Sequence, residues 1–126
     1  MNNAKWKKCF LTVFSNIQFI KHCEIVDFFS NSIINTKTDL QDIEAEKYIF
    51  DDFIDNFLFI IGEYSVSYRE IEYIEFKKYW KEEPLGRLLE PKTIEQDTNK
   101  IKEIISKTGK YEWEETEKYL RIYGYK

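Results

Sequence analysis

The chain has 126 residues, 43% hydrophobic and 33% charged, enough to bury a core without a disulfide or metal staple. No stretch approaches the ~20 apolar residues of a membrane helix. Net charge is −4, and residues 24–55 carry nine acids against Lys37 and Lys47. Such a segment repels nucleic acid and attracts a basic partner.

Trp6, Cys9, Phe10, Val13 and Phe14 recur at the spacing of one buried helical face and predict a helix over residues 3–15. Asn2 or Asn3 is placed to cap it, and Lys5, Lys7 and Lys8 fall off the apolar stripe. Ser15-Asn16 ends the helix, and Ile17–His22 reads as a short strand. Ile25, Val26, Phe28 and Phe29 fit either a helical turn or a buried strand, and Asn31–Asp39 reads as a polar loop. Ala45, Ile49, Phe53 and Ile54 suit a helix with acids on its other side, while Tyr48 and Phe50 leave a strand open.

Phe57–Ile61, stopped by Gly62, predicts a buried strand. Tyr64, Val66 and Tyr68 alternate with polar residues, and the phase shifts at Arg69-Glu70 before Ile71 and Tyr73, which predicts a bend. Residues 57–76 are thus expected as two strands of an antiparallel meander. Pro84, Gly86 and Pro91 mark 77–92 as a long irregular connection. Thr93 and Gln96 match a capping box, Ile94, Ile101, Ile104 and Ile105 share a face, and Gly109 fits the stop, so a helix is expected over 93–108. Tyr111 and Trp113, then Leu120 and Ile122, alternate with polar or outward residues and predict a terminal β-hairpin. The expected fold is a single α+β domain over 1–126, an antiparallel sheet packed against these two helices.

Residues that could carry chemistry are few. His22 is the single histidine, and the adjacent Cys23 would point to the opposite face of a strand, which disfavours a nucleophile–base pair. Cys9 and Cys23 are expected as buried, reduced thiols, and with one His they offer no zinc spacing. The four glycines are scattered, so no phosphate-binding loop is expected. Asp51-Asp52, Glu82-Glu83 and Glu114-Glu115 are carboxylate pairs in sequence, and acid–base catalysis would need two of them to face one cleft. Lys5-Trp6-Lys7-Lys8 mixes basic and aromatic residues as single-strand binders do, but Trp6 belongs to the apolar stripe. No catalytic residue, metal or cofactor is therefore expected. The Lys-rich start before Cys9–Phe14 is too short in its apolar part for a signal peptide and lacks an Ala-x-Ala-like site, which points to the cytoplasm.

Three stretches carry a resemblance. The chain opens Asn2-Asn3-Ala4-Lys5-Trp6, continues through Tyr68-Arg69-Glu70-Ile71-Glu72-Tyr73-Ile74-Glu75-Phe76, and ends Leu120-Arg121-Ile122-Tyr123-Gly124-Tyr125. These resemble a family of small bacterial proteins with an Asn-Asn-x-Lys-Trp start, an Arg-Glu-Ile-Glu-Trp-like central strand and an Arg-x-Tyr-Gly-Tyr end, with Tyr73 in place of the central Trp. In size, acidity and residue usage the chain is also similar to the immunity proteins of contact-dependent growth inhibition systems. That resemblance implies a cytoplasmic, non-enzymatic protein that binds the toxin domain delivered by a neighbouring cell. The toxin is often a tRNA-cleaving nuclease, and binding blocks its basic cleft. Asp39, Asp42, Glu44, Glu46, Asp51, Asp52 and Asp55 would face the toxin's basic residues, and Tyr79 and Trp80, in the irregular connection, would supply hot-spot area. The alternatives are a phage or mobile-element inhibitor of a host nucleic-acid enzyme by anionic mimicry, and a small enzyme using a carboxylate pair.

Overall fold

The computed structural model describes residues 1–36, 44–82 and 90–124. Helix α1 spans Asn3–Ser15 and buries Trp6, Cys9, Phe10, Val13 and Phe14. The Asn2 side chain accepts a hydrogen bond from the Lys5 amide at 2.9 Å, satisfying one of the free donors of the first turn. Beyond α1 the expected strand at 17–22 is replaced by a turn. The amides of Phe19 and Ile20 both donate to the Asn16 carbonyl, and Ile17 and Ile20, three apart, enter the core together. A spacing of three belongs to a turn, whereas a strand would have buried alternate residues.

Six strands form an antiparallel sheet in the order β4-β2-β1-β6-β10-β9. They are β1 (Glu24–Asp27), β2 (Asn31–Ile34), β4 (Phe59–Ile61), β6 (Ile71–Lys77), β9 (Glu112–Glu115) and β10 (Tyr119–Tyr123). The ambiguous 23–35 region is a hairpin, so the loop expected from Asn31 is in fact β2. Its turn is tied by Asp27, whose Oδ1 accepts from the amides of Phe29 and Ser30 at 2.8 and 2.6 Å. That local closure lets two four-residue strands pair where periodicity was undecided. The predicted 57–76 meander does not form. β4 pairs with β2, and β6 lies between β1 and β10. The 3₁₀ turn Tyr68–Glu70 supplies the expected bend and carries the chain away from β4.

The core row crosses the sheet as Ser32, Ile25, Ile74, Ile122 and Trp113. Against this side lie α1 and α2 (Thr98–Ser106), which buries Ile101 and Ile105. The predicted helix at 93–108 is therefore shorter. Lys92–Glu95 form strand β8, paired with β7 (Tyr79–Glu82) in the register Trp80↔Ile94 and Lys81↔Thr93. Thr93 caps nothing. Gln96 spends its amide on the carbonyls of His22 and Lys77, and its oxygen on the amides of Lys21 and His22. Asp97 becomes the cap, accepting from the Lys100 amide at 3.1 Å. The connection expected to be irregular from 77 thus opens with β7. Gly124 lies against the core, where a Cβ would stand 2.4 Å from the Ile71 carbonyl oxygen. Cys9 and Cys23 are free and fully buried, and burial raises both thiol pKa values.

Candidate binding surface

The acidic segment is built as a small knot on the helix side of the sheet. Residues 42–54 were open between helix and strand; the described part is a 3₁₀ turn, Ala45–Tyr48, followed by a tight turn. Phe50 donates its amide to the Phe53 carbonyl at 2.8 Å, their rings stack with centroids 4.6 Å apart, and Ile49 bridges to Ile54. This stacked pair breaks any helical run and pushes Asp51 and Asp52 to the tip. Tyr68, buried, pins the knot from below by donating its hydroxyl to the Phe50 carbonyl at 2.7 Å. Strand β3 (Phe53–Ile54) then pairs with β5 (Val66–Ser67).

Of the acids expected at an interface, Glu44, Glu46, Asp51 and Asp52 are exposed. Asp39 and Asp42 lie outside the described residues. Asp51 meets Lys7 of α1 at 2.5 Å, and that hydrogen bond holds its carboxyl below the usual range. Glu44 pairs with Lys47. Asp55 is partly spent locally, accepting from the Phe57 amide at 2.8 Å as the cap of the 3₁₀ turn Asn56–Leu58.

The next stretch corrects the sequence reading. Phe57–Ile61 was expected to be buried, yet only Leu58 and Phe59 are. β4 has β2 on one side and, among the described residues, no strand on the other, and Ile60 and Ile61 are 51% and 57% exposed. Phe57 and Tyr64 are exposed beside them. A run of five apolar residues gives no alternation from which an inward and an outward face could be told apart. Five of the nine exposed large apolar side chains among the described residues fall within 50–64: Phe50, Phe57, Ile60, Ile61 and Tyr64.

Tyr79 and Trp80 stand on β7 and not in an irregular loop. Tyr79 is exposed. Trp80 lies over the His22 ring, with centroids 5.5 Å apart, and lines a hollow of about 310 Å³ with Ile33, Ile60 and Ile94, rimmed by Lys21 and Glu82. Among the described residues, none of the acids expected at the interface lines this hollow. His22 Nδ1 accepts from the Lys77 amide at 3.3 Å, and its Nε2 has no hydrogen-bond partner among the described residues. Burial, aided by the charge of Lys77, lowers the His22 pKa to about 4, so the ring is neutral.

A second cluster escaped the sequence reading. The outward face of the sheet carries a row that crosses it as Ile61, Ile33, Glu24, Glu75, Arg121 and Glu114. Arg121 Nε donates to Glu75 Oε1 at 2.8 Å, and its guanidinium lies between the rings of Tyr73 and Tyr119, 4.1 and 3.9 Å from their centroids. Tyr119 and Tyr123 donate their hydroxyls to Glu114 Oε1 at 2.9 and 3.0 Å. Burial opposes the charge on Arg121, but its hydrogen bonds to Tyr123 and Glu75 more than offset this and raise its pKa. Glu24 is raised by burial and then by Glu75, against the lowering effect of Lys77 and Arg121. The alternating outward residues Tyr119, Arg121 and Tyr123 were the available signal; their partners on β6 and β9 were not. The sequence pair Glu114-Glu115 is split, Glu114 facing Arg121 while Glu115 pairs with Lys78 at 2.8 Å and Lys102 at 3.7 Å.

Among the described residues no helix is long and apolar enough to cross a membrane, and no group of three His, Cys, Asp or Glu side chains is placed to hold a metal. Comparisons of the chain with protein-family models, with curated proteins and with solved structures each returned no match.

Proposed function

We propose that this protein is an immunity protein of the cytoplasm, which binds a basic toxin domain of the nuclease type and neutralises it by covering its active-site cleft. One observation carries the reading. Residues 48–68 hold Asp51, Asp52, Asp55 and Glu63 with no Lys or Arg, and the same segment displays Phe50, Phe57, Ile60, Ile61 and Tyr64 to solvent. Exposed apolar area bordered by acidic side chains, of which Asp51 is paired with Lys7, is the composition of a protein-binding surface, with aromatic anchors for affinity and the charge for steering. The same charge repels a nucleic-acid backbone. Catalysis has no part in this proposal.

The test is to look for a toxin-like domain encoded immediately upstream, whose absence would refute the reading, and to co-express its inactivated form, followed by co-purification and inhibition of the active toxin. A stoichiometric complex that abolishes nuclease activity is the expected result; absence of a complex refutes the reading. Reversing both Asp51 and Asp52 to Lys should slow association about 10- to 100-fold at low salt, with the gap closing as salt rises. An on-rate unaltered by the reversal would take the acidic tip out of the mechanism.

A further inference from the structure

The two edges of the six-stranded sheet are built differently. β9 reads Glu112-Trp113-Glu114-Glu115, three charged residues in four, with Glu114 and Glu115 held in ion pairs, and charged side chains on an edge deter another strand from pairing. β4 reads Phe59-Ile60-Ile61, a strand of three residues whose register against β2 shifts at Ile33 and Ile34, and it carries no charge. Among the described residues no strand pairs with its far side. An uncharged edge with exposed β-branched side chains is a template for strand addition, since backbone donors and acceptors there lack a ladder partner.

A second feature abuts that edge. The 310 Å³ hollow between Ile33, Ile60, Ile94 and the Trp80 ring begins at β4 and is of the size that takes one bulky side chain. A strand laid along β4 would present alternate side chains to the Ile60 side, next to this hollow. Charge selects the visitor. The segment bracketing β4 holds Asp55 before it and Glu63 after it, and no base from 48 to 68, while at the hollow Lys21 and Glu82 balance each other. A second copy of this chain would set that acid-only segment against itself, whereas a strand flanked by Lys or Arg would be drawn to both ends.

We propose that the free edge of β4 is where the partner docks: an extended segment of the basic toxin domain adds a seventh strand to the sheet and seats an apolar side chain in the hollow beneath Trp80. The partner named here rests on the immunity reading above; the edge, the hollow and the charge are independent of it.

The experiment uses the full chain and its complex with the inactivated upstream toxin domain, followed by hydrogen exchange. Exchange in the peptide covering 57–63 is expected to slow at least tenfold on complex formation, while the peptide covering β9 exchanges as before. Ile60→Asp is expected to weaken the complex at least tenfold although it adds an acid, because it removes the apolar contact. Phe29→Asp, at the exposed β1–β2 turn, should leave affinity unchanged. Both sites are on the surface, and equal melting temperatures would confirm that folding is intact. A complex in which 57–63 exchanges as fast as in the free protein overturns strand addition and leaves the immunity reading standing. Protection of 57–63 with a dimeric mass and no toxin present overturns the basic partner in favour of a second copy. Failure to form any complex with the toxin domain removes the partner and the immunity reading together.

Discussion

Arg121→Met strips the guanidinium from Glu75, a carboxylate only 8% exposed and 2.8 Å from Arg121 Nε. Removing one member of a buried pair costs about 3–5 kcal/mol, because the remaining charge is left desolvated and uncompensated. Here the Arg121 side chain is 21% exposed and the face is partly open to water, which reduces the expected loss to about 2–3 kcal/mol. Met keeps most of the packing between Tyr73 and Tyr119 but loses the cation–ring attraction, about 0.5–1 kcal/mol at such a site. A total near 3 kcal/mol in a domain of this size lowers Tm by roughly 10–15 °C. The sign of the pH effect follows from Glu24, whose pKa is already raised and is held down in part by Arg121. Without Arg121 it rises further. A carboxyl whose folded pKa exceeds its unfolded value contributes stability below the unfolded pKa and loses it as pH rises through the folded one. The deficit of Arg121→Met should therefore be largest at pH 7 and shrink towards pH 4.5. Urea titrations of both proteins at each pH measure it, and any effect of His22 cancels in the difference. A deficit under about 1 kcal/mol at pH 7, or one that grows on acidification, would refute the reasoning. Adding Glu75→Gln to Arg121→Met should recover at least half of the loss, the coupling expected of residues in contact.

Three further outcomes are expected. His22 has a folded pKa of about 4 against an ordinary 6.5, so it binds fewer protons folded than unfolded and costs stability as pH falls through that window, up to about 3 kcal/mol. His22→Asn keeps an acceptor for the Lys77 amide and should flatten the stability profile between pH 6.5 and 4, read by denaturant melts. Tyr68→Phe deletes the hydroxyl bound to the Phe50 carbonyl and should cost about 1–2 kcal/mol, with faster hydrogen exchange confined to 48–55. Gly124→Ala places a Cβ against the Ile71 carbonyl oxygen and Trp6, and should cost about 2–3 kcal/mol in thermal melts.

Where the pattern was local, the sequence alone was sufficient. The stripe from Trp6 to Phe14 repeats at the helical period and α1 buries those five residues; Leu120 and Ile122 alternate with Tyr119, Arg121 and Tyr123, and β10 faces them inward and outward accordingly. The phase break at Arg69-Glu70 became a turn because a period-2 pattern cannot shift without a bend. Acidity of the middle segment was equally legible, being a matter of counting. Pairing was not. Thr93 and Gln96 satisfy a capping pattern, yet pairing opposite Lys81 draws Thr93 into β8, and the backbone of His22 and Lys77 engages Gln96 in a side-chain bridge. Phe57–Ile61 is apolar throughout, yet Ile60 and Ile61 are exposed on β4, at the end of the strand order among the described residues. The row from Ile61 through Glu24, Glu75 and Arg121 to Glu114 joins residues from six strands. Helical period and charge are properties of neighbours along the chain, whereas strand order and the surfaces it leaves open depend on contacts between residues far apart in it, and only the folded chain decides those.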